Sequence, residues 1–284
     1  MIANYKYNAK AYFIATFFAT FTLWFAGAWM SHQEGNDGRH MLLMLPGLMA
    51  PFLISLFMIF RSKNRELIAD YKKRLFDPRL MHPRTFPVLF SIMPFSVLLS
   101  IGISLLFGES ASQFRLADEF SFSAGFVPVL LLLLMAAAFE ELGWRGYAFD
   151  SLQSRYNFLT ASVIFGILWS AWHFPLVFVD GSYQYQILHE NVLYGLNFFI
   201  GIVPMGVIVS WVCVKNGKSI LSAILFHFVI NISQEAMAMT QMTKCIQTFV
   251  LAGLAVFLVL ADKETFYKQD RALRPIFDVA EVER

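Results

Sequence analysis

Apolar residues in this chain arrive in blocks of about twenty, as in VLYGLNFFIGIVPMGVIVSWVCV at 192–214, and no other feature limits the possible folds so tightly. A helix of that length is about 30 Å long, the thickness of a bilayer's hydrocarbon core. Lipid offers no partner to a bare N–H or C=O, so each block must satisfy its own backbone as a helix. Eight blocks can be read, at about 11–30, 41–60, 86–107, 125–150, 158–179, 192–214, 219–239 and 245–261. Composition agrees: 57% of residues are hydrophobic and 15% charged, against roughly 45–50% and about 25% in soluble domains. The excess has to face lipid. The expectation is an all-α, polytopic membrane protein, about eight transmembrane helices enclosing a polar catalytic cavity, in one domain over 1–284 with its catalytic core at about 125–240.

Several features refine that reading. Ala11 to Met30 is longer and more aromatic than the apolar core of a signal peptide, so it reads as a retained first span. Pro51, Pro94, Pro175 and Pro204 fall inside spans, where neighbouring helices can re-satisfy the freed carbonyls. With the N-terminus inside, 19 of the 22 lysines and arginines fall in inner connections, leaving Arg39, Arg115 and Lys244 outside. Positive residues are retained on the cytoplasmic side, so both termini are expected there. The segment Arg61 to Arg84 carries Leu67, Ile68, Tyr71, Leu75 and Phe76 at helical spacings. It fits a helix lying on the membrane surface or a solvated basic loop equally well. Cys213 and Cys245 show neither metal-ligand nor disulfide spacing. A net charge of +2 gives no basis for a nucleic-acid partner.

Ionisable groups within the blocks need a reason, because a charge at the centre of a span costs roughly 2.5–3.5 kcal/mol on insertion scales. Span four holds Glu140 and Glu141, span five His173, and span seven His227 with Asn231. Glu141 and Arg145 are four apart and share a helix face, where they can pair. Glu140 points about 100° away and is free to act. His227 and Asn231 project together one turn apart, and Trp169, one turn before His173, walls the same pocket.

Two carboxyls, two imidazoles and an amide suit hydrolysis. A buried glutamate hydrogen-bonded with a histidine can hold a water and take its proton. A second histidine and an asparagine amide can donate to the oxyanion on the attacked carbonyl. The same His173, His227 and a glutamate would also make a three-ligand zinc site with an open position for water, although no HExxH is present. Both readings stand, and metal-independent chemistry, with no cofactor, is the one carried forward. A proton-coupled transporter could use such groups as a relay, but should show a repeat between its halves, and none is visible.

Three segments on separate spans also carry a resemblance: Glu140-Glu141-Leu142-Gly143-Trp144-Arg145, Trp169-Ser170-Ala171-Trp172-His173, and His227-Phe228-Val229-Ile230-Asn231. In that order they resemble the EExxxR, aromatic-xxxH and HxxxN motifs of the type II CAAX prenyl endopeptidases, part of the larger group of CAAX proteases and bacteriocin-processing membrane enzymes. Trp169 stands where phenylalanine is more usual. The resemblance implies an intramembrane endopeptidase that removes the last three residues after a prenylated cysteine. Glu140 and His173 would activate the water, His227 and Asn231 would stabilise the oxyanion, and Glu141 and Arg145 would support the first motif. A same-family peptidase acting on another substrate, such as a bacteriocin leader, is the nearest alternative. The implied partners are a prenylated C-terminal peptide and the lipid bilayer. One tension is depth. His173 lies about fifteen residues from the inner end of span five, roughly 22 Å, so either that helix begins later or the cavity is deep and conical.

Overall fold

Each apolar block becomes a helix. The computed structural model describes residues 5–117 and 128–267. Along the chain run α1 (Ala9–Ser31), α2 (Met41–Arg61), α3 (Arg65–Phe76), α4 (Phe86–Leu105), α5 (Val129–Gly143), α6 (Phe149–Gln153), α7 (Phe158–Trp172), α8 (Tyr183–Glu190), α9 (Val192–Lys215), α10 (Ile220–Ala236), α11 (Gln241–Ala261) and α12 (Lys263–Tyr267). Six stretches, containing α1, α2, α4, α7, α9 and α11, are each long and apolar enough to cross a membrane. The other two expected crossings are α10, which is shorter, and α5, which continues through a π-helical turn, Trp144–Ala148, into α6. The expected all-α polytopic architecture is what forms. The first residues expected in span four, 125–127, lie outside the described residues, as do the cations from Lys268 onward in the orientation count.

Phe18, Phe57, Phe95, Phe249 and Phe257 are each more than half exposed. On a soluble surface so many large apolar groups would aggregate; here they face lipid. Inside, α5 lies between α2 and α10, α7 packs on α9, and α4 packs on α10 and α11. Glycines set how closely these helices approach. A Cβ at Gly166 of α7 would come within 2.7 Å of the Val203 carbonyl of α9, and one at Gly206 within 2.7 Å of Gly166 itself. At Gly143 it would lie 2.4 Å from the Pro51 carbonyl carbon, which fixes α5 hard against α2.

The prolines fall inside the spans, as expected. Pro51 has no N–H, which leaves the Gly47 carbonyl without its helical donor. The Thr20 hydroxyl of α1 donates to that carbonyl at 2.9 Å and accepts from the Trp172 indole at 2.9 Å. Pro94 and Pro204 also sit inside helices. Pro175 lies in the stretch Phe158–Phe178 but beyond its α-helix: α7 stops at Trp172 and a 3-10 turn, Phe174–Phe178, follows. Proline has no N–H to continue the α-helical ladder back to the Ala171 carbonyl, so the span goes on in a tighter form.

The basic segment is neither a free surface helix nor a loop. In α3, Leu67, Asp70, Tyr71 and Arg74 are buried against the protein, while Phe76 is 74% exposed. On the opposite side, Leu116 pairs with Met237, and the buried Gln113 accepts from the Thr240 N–H at 2.9 Å, tying the chain beyond α10 to the loop after α4.

Candidate active site

Glu140 and Glu141 occupy the last turn of α5, and both are buried. Glu141 takes the role its spacing dictates: Arg145 Nε donates to its Oε2 at 2.8 Å. Arg145 itself is 1% exposed, and its Nη1 donates to Ser210 Oγ at 2.8 Å. The faces of Phe165 and Phe149 lie 4.1 and 5.0 Å from its guanidinium carbon. A buried arginine paired with one carboxylate and flanked by rings keeps its charge compensated.

The other oxygen of Glu141 reaches span seven. His227 Nδ1 lies 3.0 Å from Glu141 Oε1, so this carboxylate joins the first motif to the third. An ionised carboxylate only accepts, and Nδ1 must therefore carry the proton. Asn231, one turn on, donates its amide to the Leu133 carbonyl of α5 at 3.2 Å. One N–H of that amide is left for another acceptor.

Glu140 points elsewhere, as the 100° offset requires. Its Oε2 accepts from the Trp169 indole at 2.7 Å and from the Trp144 indole at 3.4 Å. Trp169 is thus a hydrogen-bonding partner as well as a wall. Its ring stands 5.3 Å from that of His227 and 6.0 Å from that of His173. His173 caps the C-terminal end of α7, with Nδ1 2.7 Å from the Trp169 carbonyl. A carbonyl cannot donate, so Nδ1 is protonated and, in the neutral ring, Nε2 carries the lone pair.

All seven candidates therefore belong to one assembly. The pairing differs in one respect from expectation: the glutamate–histidine hydrogen bond is made by Glu141 with His227, while Glu140 is held by two indoles. Because α7 begins at Phe158, as the sequence indicates, a later helix start does not relieve the depth of His173. Sequence reasoning passed over Trp144, although it lies one turn from Glu140, and Ser210, which nothing in its own segment marks. Among the described residues, no three His, Cys, Asp or Glu side chains are grouped so as to hold a metal ion.

Comparison with known proteins finds matches that span this region. A family model described as type II CAAX prenyl endopeptidase Rce1-like matches residues 122–233, which include every candidate. CAAX prenyl protease 2 of Methanococcus maripaludis is 56% identical over 269 residues, covering 95% of this chain and 99% of that protein. The chain belongs to the type II CAAX prenyl endopeptidase family. Lysostaphin resistance protein A of Staphylococcus haemolyticus is 23% identical over 186 residues, 66% of this chain and 47% of that one. Membership of this prenyl endopeptidase family, read first from three short motifs, is borne out over nearly the whole chain.

Proposed function

We propose that this protein is an intramembrane CAAX endopeptidase that cleaves the C-terminal tripeptide after a prenylated cysteine, using a water activated by Glu140 and His173. The observation that carries this is the gathering of all three motifs around Trp169, through the Glu140–Trp169 and Glu141–His227 contacts. Glu140 takes the proton of the attacking water and returns it to the departing amine as the C–N bond breaks, its position held by the two indole donors. His173 presents Nε2 as a second acceptor, its tautomer fixed by the Trp169 carbonyl. As the carbonyl oxygen gains charge, the remaining N–H of Asn231 and Nε2–H of His227 donate to it. Nε2 of His227 donates only from the doubly protonated ring, and Glu141, already facing Nδ1, supplies the countercharge. Arg145 pairs with Glu141 and orients it.

The prenyl chain would lie among the lipid-facing helices while the short peptide tail reaches the buried polar residues from the cytoplasm. The test is incubation of the purified protein in detergent with a prenylated peptide and its unprenylated twin. Tripeptide should be released from the former only, and Glu140→Ala should abolish release while the protein stays folded. Cleavage of both peptides alike would remove prenyl recognition; wild-type turnover by E140A would remove Glu140 from the mechanism. Prolonged chelation should leave the rate unchanged. Loss of activity restored by zinc would instead make His173 and His227 metal ligands.

A further inference from the structure

Arg74 belongs to α3, outside the spans, yet it is 1% exposed. A guanidinium taken out of water has to be compensated. Asp70, one turn earlier, lies 3.1 Å from Nε, and Asp150 lies 3.0 Å from Nη1. Asp150 is shared with Lys218 at 2.8 Å. Two carboxylates already balance two cations, so charge alone asks nothing more of Arg74. Nevertheless Nη2 donates to the main-chain carbonyls of Arg145 at 2.9 Å and Gly146 at 3.1 Å.

Those carbonyls belong to the π-helical turn. There the Phe149 N–H reaches back five residues to the Trp144 carbonyl. When the helix returns to its four-residue spacing, one carbonyl is skipped and left without a donor. Arg74 supplies donors to this turn from a different element. Packing adds to the link: a Cβ on Gly146 would come within 2.7 Å of the Tyr71 ring of α3. The turn in its own right carries Arg145, which grips Glu141, whose second oxygen faces His227.

We propose that Arg74 is a positioning residue for hydrolysis: from outside the spans it fixes the π-helical turn, and through Arg145 and Glu141 it sets where the His227 imidazole stands. This rests on the reading that His227 serves the reaction. The geometry of a conserved charge with fewer donors isolates the effect, so the variant is Arg74→Lys. A small displacement of reacting groups by a distant substitution lowers turnover by up to about a hundredfold. R74K should lose roughly ten- to a hundredfold in kcat at a KM within about twofold of wild type. It should also shift the ring-nitrogen NMR signals of His227 in ¹⁵N-histidine-labelled protein, assigned with H227A. Leu67→Ala is the control. Leu67 is buried in the same helix but makes none of these hydrogen bonds, so L67A should lower thermal stability while leaving kcat and the His227 signals in place.

Wild-type kcat and unmoved His227 signals in R74K would overturn the proposal, as would L67A reproducing both changes. If R74K does not fold, D70N/R74Q removes both members of the one-turn pair, leaves Asp150 to Lys218, and is read the same way. Should the wild-type protein cleave no prenylated peptide, the functional reading fails, and the NMR comparison still decides the role of Arg74.

Discussion

Glu140 and Glu141 are chemically identical neighbours whose surroundings give them different work. Glu141 sits between the Arg145 guanidinium and the His227 imidazole, whereas Glu140 accepts from indole N–H groups. A hydrogen bond to a charged group contributes about 1.5–3 kcal/mol, or roughly ten- to a hundredfold in rate. Trp169→Phe keeps the ring and deletes the donor, so kcat/KM for the prenylated peptide should fall by that factor; unchanged steady-state kinetics would show that the N–H does not hold Glu140. Asn231→Ala should lower kcat by about 100- to 1000-fold, the usual effect of deleting one oxyanion donor, with KM little changed. A loss confined to KM would place Asn231 in substrate binding instead. The site residues were legible because helical periodicity turns spacing into direction. The contact of Glu141 with His227 was not, since it depends on how α5 and α10 are set side by side.

Elements are placed by contacts that propensity does not encode. The apolar blocks located the spans to within a few residues, since the hydrocarbon thickness sets their length. The π-helical turn and the buried face of α3 were invisible. Each depends on a partner elsewhere: Arg74 for the turn, Asp150 for α3. Gly143 shows the force of such contacts. Gly143→Ala would push α5 from the Pro51 backbone, and overpacking of this kind costs about 1–3 kcal/mol. The melting temperature in detergent should fall, and activity with it, because Glu141 lies two residues away. A second tie joins the ends of α9 and α11. Burial raises the pKa of Asp262, but the Lys215 ammonium at 2.6 Å and hydrogen bonds from Trp211 and the Thr265 N–H outweigh it, holding the carboxyl below its ordinary 3.8. The folded-state pKa is therefore the lower one, so the stabilisation is present above the unfolded value and lost as pH falls through the folded one. Asp262→Asn should melt earlier than wild type at pH 7, and the gap should close as the carboxylate protonates. A gap independent of pH would mean that the charge contributes nothing.

At the scale of the whole molecule, the function requires one orientation. On the proposed function the site is reached from the cytoplasm, where prenylated tails reside, and the lysine and arginine count predicts that the α2–α4 connection with its buried Arg74 faces that side. Glu34, between α1 and α2, then faces outward, while Lys72 of α3 faces inward; both side chains are exposed. Single cysteines at these positions read the topology directly, provided the native thiols are removed. Cys213 is buried, but Cys245 is half-buried next to Lys244 on the expected outer side and would add background labelling. In a C213S/C245S chain, a membrane-impermeant maleimide should label E34C in intact spheroplasts and K72C only after permeabilisation. The inverse pattern would put α3, the π-helical turn and the cytoplasmic route to Glu140 on the wrong face of the membrane, and no prenylated cytoplasmic tail could then reach the site from its own side.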